Sequence, residues 1–194
     1  MKKLLITGFD PFGGEKTNPS WESVKLLPNE IGEFALSKLQ IPTVFKKGAK
    51  KVLETAKQLS PDAIILVGQA GGRKGVTPEV VGINLMDTSI PDNDGYKPIN
   101  EPILDGENAY FTTLPVREIV ANIKNTNIPS ALSYSAGAFV CNEVLYTVLH
   151  HYKNTNVKVG FIHVPYLPEQ AKNGEPSLPI EDIVSALKIA IETL

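Results

Sequence analysis

Cysteine is nearly absent from the chain: Cys141 is the only one in 194 residues, beside three histidines. One thiol closes no intramolecular disulfide, so the composition points to a reducing compartment and to the cytoplasm. Metal-ligand spacing is missing too, since there is no cysteine pair and no H-E-x-x-H, and His150 and His151 are neighbours. An excess of one charge is also lacking. With 19 Lys and Arg against 21 Asp and Glu, the formal net charge of -2 gives no electrostatic reason to expect nucleic acid or an anionic membrane as partner. No run approaches the roughly 20 apolar residues of a membrane-spanning helix. Met1 to Gly8 imitates a secretory leader for three residues, but its apolar run then stops, and it reads as a buried first strand. Nucleotide motifs fail as well: no G-x-G-x-x-G occurs, and Arg73 stands where a P-loop has its second glycine.

What is present is ordinary globular material, 42% hydrophobic and 21% charged, long enough for one domain that buries about 70% of its unfolded surface. Lys2 to Thr7 reads as a strand, followed by the turn-rich loop Gly8 to Gly14 with Phe9 and Phe12 in it. Asn18 has the character of an N-cap, with Pro19 at the first position of a short helix through Leu27. Phe34 to Ile41 is a second strand, and Ala49, Val52, Leu53, Ala56 and Leu59 carry helical spacing up to Ser60-Pro61. Asp62 to Gly68 is a nearly continuous apolar run, as expected of a central strand covered on both faces. Val80 to Leu85, Ala131 to Tyr134 and Val157 to Val164 are further strand candidates; helices are expected around Val116 to Ile123, from Ala138, and around Ile180 to Ile191. Met86 to Tyr110 is too long and polar for a plain connection and reads as a hairpin arm serving a partner subunit or a lid. The alternation predicts an α/β fold: one domain over residues 1–194, a three-layer α/β/α sandwich with a mostly parallel sheet.

Cys141, Val144, Leu145 and Val148 share one helical stripe, which points the thiol inward. Ser135, Ala136 and Gly137 suit a tight turn ahead of the helix, so Cys141 falls in its first turn, where unpaired N–H groups and the helix dipole favour a thiolate. Position alone equally fits a cysteine that only packs. His163 lies near the carboxyl end of a strand, where open α/β sheets bind ligands, and is a plausible base for a thiol that follows another strand's end. The adjacent pair His150 and His151 is expected at a helix C-terminus, where a cation is mildly favoured. A third group to orient the imidazole cannot be chosen from so many carboxylates. Glu79 stands out only weakly, bordering an apolar strand and the glycine-rich loop.

Five blocks carry more. Gly8 to Gly14, Val67 to Arg73, Ile90 to Asn93, Ser135 to Asn142 with Cys141, and Gly160 to Gln170 with His163 together resemble the pyroglutamyl peptidase I (pyrrolidone-carboxylate peptidase) family, in order and across nearly the whole chain. The resemblance implies a cytosolic cysteine peptidase that removes an N-terminal pyroglutamyl residue from peptides, with no metal or organic cofactor, working as a homotetramer. It implies Cys141 as nucleophile, His163 as general base and Glu79 as third member. It implies a lactam pocket at Phe9, Phe12, Gln69, Phe139 and Val140, with Asn18 nearby, and an assembly role for Met86 to Tyr110. The chain departs from the family's pattern at Val80 and Ser89, where the family often has arginine; Arg73 is a possible replacement. A catalytically silent relative that binds a lactam or peptide N-terminus, and a different enzyme on a similar sandwich such as a nucleoside phosphorylase, are the competing readings.

Overall fold

Along β1 (Lys2–Phe9) and β4 (Ala63–Gln69), alternate apolar side chains go to opposite faces, so each strand needs cover on both sides. The computed structural model describes residues 1–194, and it supplies that cover with two helical layers. The remaining elements are α1 (Pro19–Leu26), β2 (Glu30–Ile31), β3 (Phe34–Ile41), α2 (Lys47–Leu59), β5 (Thr77–Pro78), β6 (Val81–Ile83), β7 (Ala109–Phe111), α3 (Val116–Lys124), α4 (Val140–Tyr152), β8 (Lys158–Val164) and α5 (Ile180–Glu192). On one face Leu4, Ile6, Ile65 and Val67 meet apolar residues of α1, α3 and α5. On the other, Leu5, Ile64 and Leu66 meet those of α2 and α4. The result is the expected three-layer sandwich.

The main sheet runs β2-β3-β1-β4-β8-β5. Its four central strands are parallel, while the two-residue edge strands β2 and β5 run antiparallel to their neighbours. Local signals fix the ends of several elements. Asn18 accepts a hydrogen bond from the Ser20 N–H at 3.1 Å and caps α1 ahead of Pro19. Ser60, in the left-handed region, ends α2 just before Pro61.

Three expectations change. The strand over Val80 to Leu85 shrinks to β6, which leaves the main sheet and pairs antiparallel with β7 in a two-stranded sheet. Ala131 to Tyr134 forms no strand; Ser130 and Ser133 make single bridges to Val76 and Glu79, because the run between Pro129 and the Ser135 turn is too short for a ladder. Cys141 therefore follows a loop and not a strand, and its helix starts at Val140, two residues later than Ala138.

The segment 86–110 is fastened at its root. Met86 and Glu101 form an antiparallel bridge, and Asn93 Nδ2 donates to Pro11 O at 2.9 Å. Asp92 is buried and accepts from the N–H groups of Phe45, Asp94 and Tyr96. Thus Ile90-Pro91-Asp92-Asn93 holds the loop carrying Phe12 and the start of α2 in place. No helix is long and apolar enough to cross a membrane.

Candidate active site

β4 and β8 lie side by side with Gly68 opposite His163 and Gln69 opposite Val164, and α4 begins over their carboxyl ends. Gly68 has to be glycine. A Cβ there would lie 2.5 Å from Phe161 Cζ and 2.9 Å from Cys141 Sγ, so the missing side chain is what lets the sulfur settle over the strand. The turn into α4 depends on Gly137 at φ 77°, a backbone region costly for other residues. Asn142, wholly buried, then clamps the helix start: Nδ2 donates to Ile83 O and Leu85 O, and Oδ1 accepts from Ile83 N–H at 2.9 Å. The first N–H of α4 to find a helical carbonyl is that of Glu143, bonded to Phe139 O, which leaves those of Val140, Cys141 and Asn142 without helical partners.

Cys141 and His163 line one cleft of about 360 Å³ together with Phe9, Phe12, Gln69 and Phe139. The rings of Phe12 and Phe139 stand 6.0 Å apart at 39°, and Phe45 braces Phe139 edge-on at 5.4 Å. Behind His163 lies Glu79, fully buried, with Oε1 2.6 Å from His163 Nδ1. Arg73 Nη1 donates to the same oxygen at 2.7 Å and also to Thr77 Oγ1, while Nη2 reaches Ser135 O at 3.0 Å. Glu79 Oε2 has no hydrogen-bond partner; the Ser133 hydroxyl beside it donates to Ser135 O.

The electrostatics follow from this packing. Burial pushes the Glu79 carboxyl up, but the hydrogen bond and charge of His163 and the charge of the Arg73 guanidinium outweigh it and hold the acid below its usual range. Burial lowers the His163 imidazole, helped by Arg73 and opposed by Glu79. A neutral ring with its proton on Nδ1 for the carboxylate leaves the Nε2 lone pair for the cleft. Cys141 departs from expectation. Burial pushes its thiol up to about 12, Glu79 adds to the shift, and Arg73 and the residue's own N–H only partly offset it. Burial thus works against the thiolate that the helix terminus favours.

Two members of the expected pocket stand apart. Val140 does not line the cleft: as the first residue of α4 it is fully buried between α4 and α2, facing Gly48. Asn18 touches the cleft, but its polar atoms are engaged, Oδ1 with Ser20 and Nδ2 with Asp10 O. Arg73 was legible only as a replacement for a missing arginine; six residues before Glu79 in a turn, it had no periodicity to reveal its grip on that acid. Ser89 is exposed and outside the cleft, and Val80 packs against the core. His150, in the last turn of α4, bonds the Tyr110 hydroxyl at 3.0 Å.

Comparison with known proteins agrees along the whole chain. The pyroglutamyl peptidase family model matches residues 2–194. A pyrrolidone-carboxylate peptidase of Clostridium botulinum is 51% identical over 195 residues, 98% of this chain and 92% of the relative. One from Fusobacterium nucleatum is 49% identical, covering 100% of this chain and 93% of the relative. The crystal structure of pyroglutamyl peptidase I from Bacillus amyloliquefaciens superposes with a TM-score of 0.96 at 48% identity, over 100% of this chain and 96% of that one. Pyrrolidone carboxyl peptidase from Thermococcus litoralis gives 0.95 at 38%, over 100% and 93%. The chain belongs to the pyroglutamyl peptidase family of cysteine-type peptidases.

Proposed function

We propose that this protein hydrolyses the bond after an N-terminal pyroglutamyl residue of peptides, with Cys141 as nucleophile, His163 as general base and acid, and Glu79 as the residue that orients His163. The observation that carries the reading is one cleft holding the chain's only thiol and an imidazole whose far nitrogen is bonded to a buried carboxylate, beneath two aromatic rings. A flat, neutral five-membered lactam suits such walls, and its N–H and C=O call for buried polar partners.

The steps follow from the charge states. His163 Nε2 takes the thiol proton as Cys141 Sγ attacks the carbonyl carbon joining the lactam to the next residue. The oxyanion that forms is within the field of the unpaired N–H groups at the start of α4. Collapse breaks the C–N bond, the imidazolium gives its proton to the departing amine, and a thioester remains on Cys141. Water, deprotonated by His163, attacks the thioester and releases pyroglutamate and the thiol. Glu79 keeps the Nδ1 proton in place and stabilises the transient imidazolium; Arg73 keeps Glu79 ionised. No step calls for a metal or organic cofactor.

The assembly reading is kept as part of the proposal. Ile90, Ile99 and Phe111 are exposed in or beside the 86–110 segment, which supports contact with further copies in a homotetramer. Sedimentation at micromolar concentration tests it. The lone free thiol supports a cytoplasmic setting. For the activity itself, pyroglutamyl-aminomethylcoumarin and its prolyl analogue are offered to the purified protein. Turnover of the first and not the second is expected, and no turnover by folded, reduced protein would turn the reading toward a silent lactam binder.

A further inference from the structure

Gln69 lines the cleft, yet its carboxamide does not choose its own orientation. Gln170 Nε2 donates to Gln69 Oε1 at 3.1 Å, and Gln170 Oε1 accepts from the Leu167 backbone N–H at 3.0 Å. Gln170 is buried, 8% exposed, in a turn that its own N–H closes by donating to Leu167 O at 2.9 Å. An amide side chain can be read either way round from its shape alone, but a backbone N–H can only donate. Leu167 therefore fixes which end of Gln170 is oxygen. Gln170 must then present N–H to its neighbour, and Gln69 must answer with its oxygen. What Gln69 has left is its Nε2 group, which has no partner within the chain, one position beyond the Gly68 that pairs with His163.

We propose that Gln170 is a positioning residue for substrate specificity: through the ordered chain Leu167 N–H, Gln170, Gln69, it turns the cleft's carboxamide so that an N–H donor faces the lactam carbonyl of the pyroglutamyl ring. The inference rests on the functional reading above and deepens it. A lactam carbonyl is an acceptor and gains from that donor; a prolyl ring has a methylene at the same place and leaves the donor unpaired. Gln170 itself does not line the cleft, so it acts only through Gln69.

Two variants separate this role from simple packing. Gln170→Glu keeps the acceptor for Leu167 N–H but, when ionised, offers Gln69 a second acceptor, which turns the Gln69 amide round and aims its oxygen at the lactam carbonyl. Gln170→Met keeps the volume and removes both hydrogen bonds. With pyroglutamyl-aminomethylcoumarin as substrate and 2-pyrrolidone as competing ligand, Gln170→Glu is expected to raise KM and the inhibition constant about tenfold with kcat changed by less than about threefold. Gln170→Met should lie between it and the wild type, although it loses more native bonds. Lowering the pH should shrink the defect of Gln170→Glu alone, because a protonated carboxyl again donates to Gln69. Wild-type turnover with KM and the inhibition constant unchanged in both variants would overturn the proposal while leaving the functional reading intact. So would a larger defect in Gln170→Met than in Gln170→Glu, or loss of fold in both by circular dichroism, since each assigns Gln170 a packing role. Absence of wild-type turnover would instead strike the functional reading, and unchanged 2-pyrrolidone binding across the variants would then overturn this inference separately.

Discussion

Glu79 Oε1 lies 2.6 Å from His163 Nδ1, and both side chains are buried. The same oxygen is held by Arg73, so the carboxylate has one face for its cation and its imidazole together. This ties the charge of the acid to the tautomer of the base. Glu79→Gln keeps the shape but removes the charge, and kcat should fall about 100-fold with KM little changed. His163→Ala should cost more, because it removes the proton carrier itself. Steady-state kinetics on the three proteins check this; equal losses, or none for His163→Ala, would contradict the assigned roles.

The thiol offers a second check. With burial pushing Cys141 up to about 12 and His163 down, the resting pair is expected to be neutral and not a thiolate with an imidazolium. Only thiolate is alkylated, so the rate with iodoacetamide should rise steadily from about pH 6 to about pH 9. A plateau reached below about pH 7 would mean a preformed ion pair.

Glu143 carries a stability prediction. It is buried on α4, Oε1 accepts from the Thr147 hydroxyl at 3.2 Å, and Oε2 has no partner. Burial pushes its carboxyl up to about 7, against partial opposition from the Lys46 backbone, Thr147 and the Lys46 charge. Its folded pKa thus exceeds the unfolded value, so the folded chain binds more protons between about pH 4.5 and pH 7, and stability falls as pH rises through that window. Glu143→Gln removes the penalty. It should be more stable than wild type by up to about 3 kcal/mol at pH 8, with the difference vanishing near pH 4.5. Urea unfolding at the two pH values measures it, and a difference independent of pH would contradict the cause.

Gly68→Ala tests the close approach beneath the sulfur. The new Cβ must displace the Phe161 ring or Cys141 Sγ, both within 3 Å of its ideal position. Turnover should drop at least about tenfold, since small misplacement of a reacting atom is costly. Wild-type kinetics in a folded variant would show that the sulfur's seat is adaptable.

Much of this was legible from the chain. The runs Lys2 to Thr7, Phe34 to Ile41 and Val157 to Val164 became β1, β3 and β8 almost to the residue, because each is a short run rich in apolar residues bounded by turn signals. The fate of Val80 to Leu85 was hidden: an apolar run carries no mark of which sheet it joins. Phe9, Phe12, Gln69, Phe139, Cys141 and His163 do converge on one cleft, which the family resemblance implied. Val140 is turned to the core because its neighbour in the helix takes the cleft side, a matter of 100° of rotation per residue that motif matching overlooks. The thiol's environment was out of reach as well. Placement in the first turn of α4 was foreseeable, but the burial and the nearby carboxylate that dominate it come from Gly68, Phe161 and Glu79, all far away in sequence.

The most direct measurement is acid quenching of the wild-type protein during turnover of a pyroglutamyl ester, followed by peptide mapping in a mass spectrometer. A pyroglutamyl group should be found on Cys141, absent from Cys141→Ser, and accumulating when hydrolysis of the thioester is the slower half of the cycle. The acyl group on any other residue, or turnover that persists in Cys141→Ser, would contradict the account.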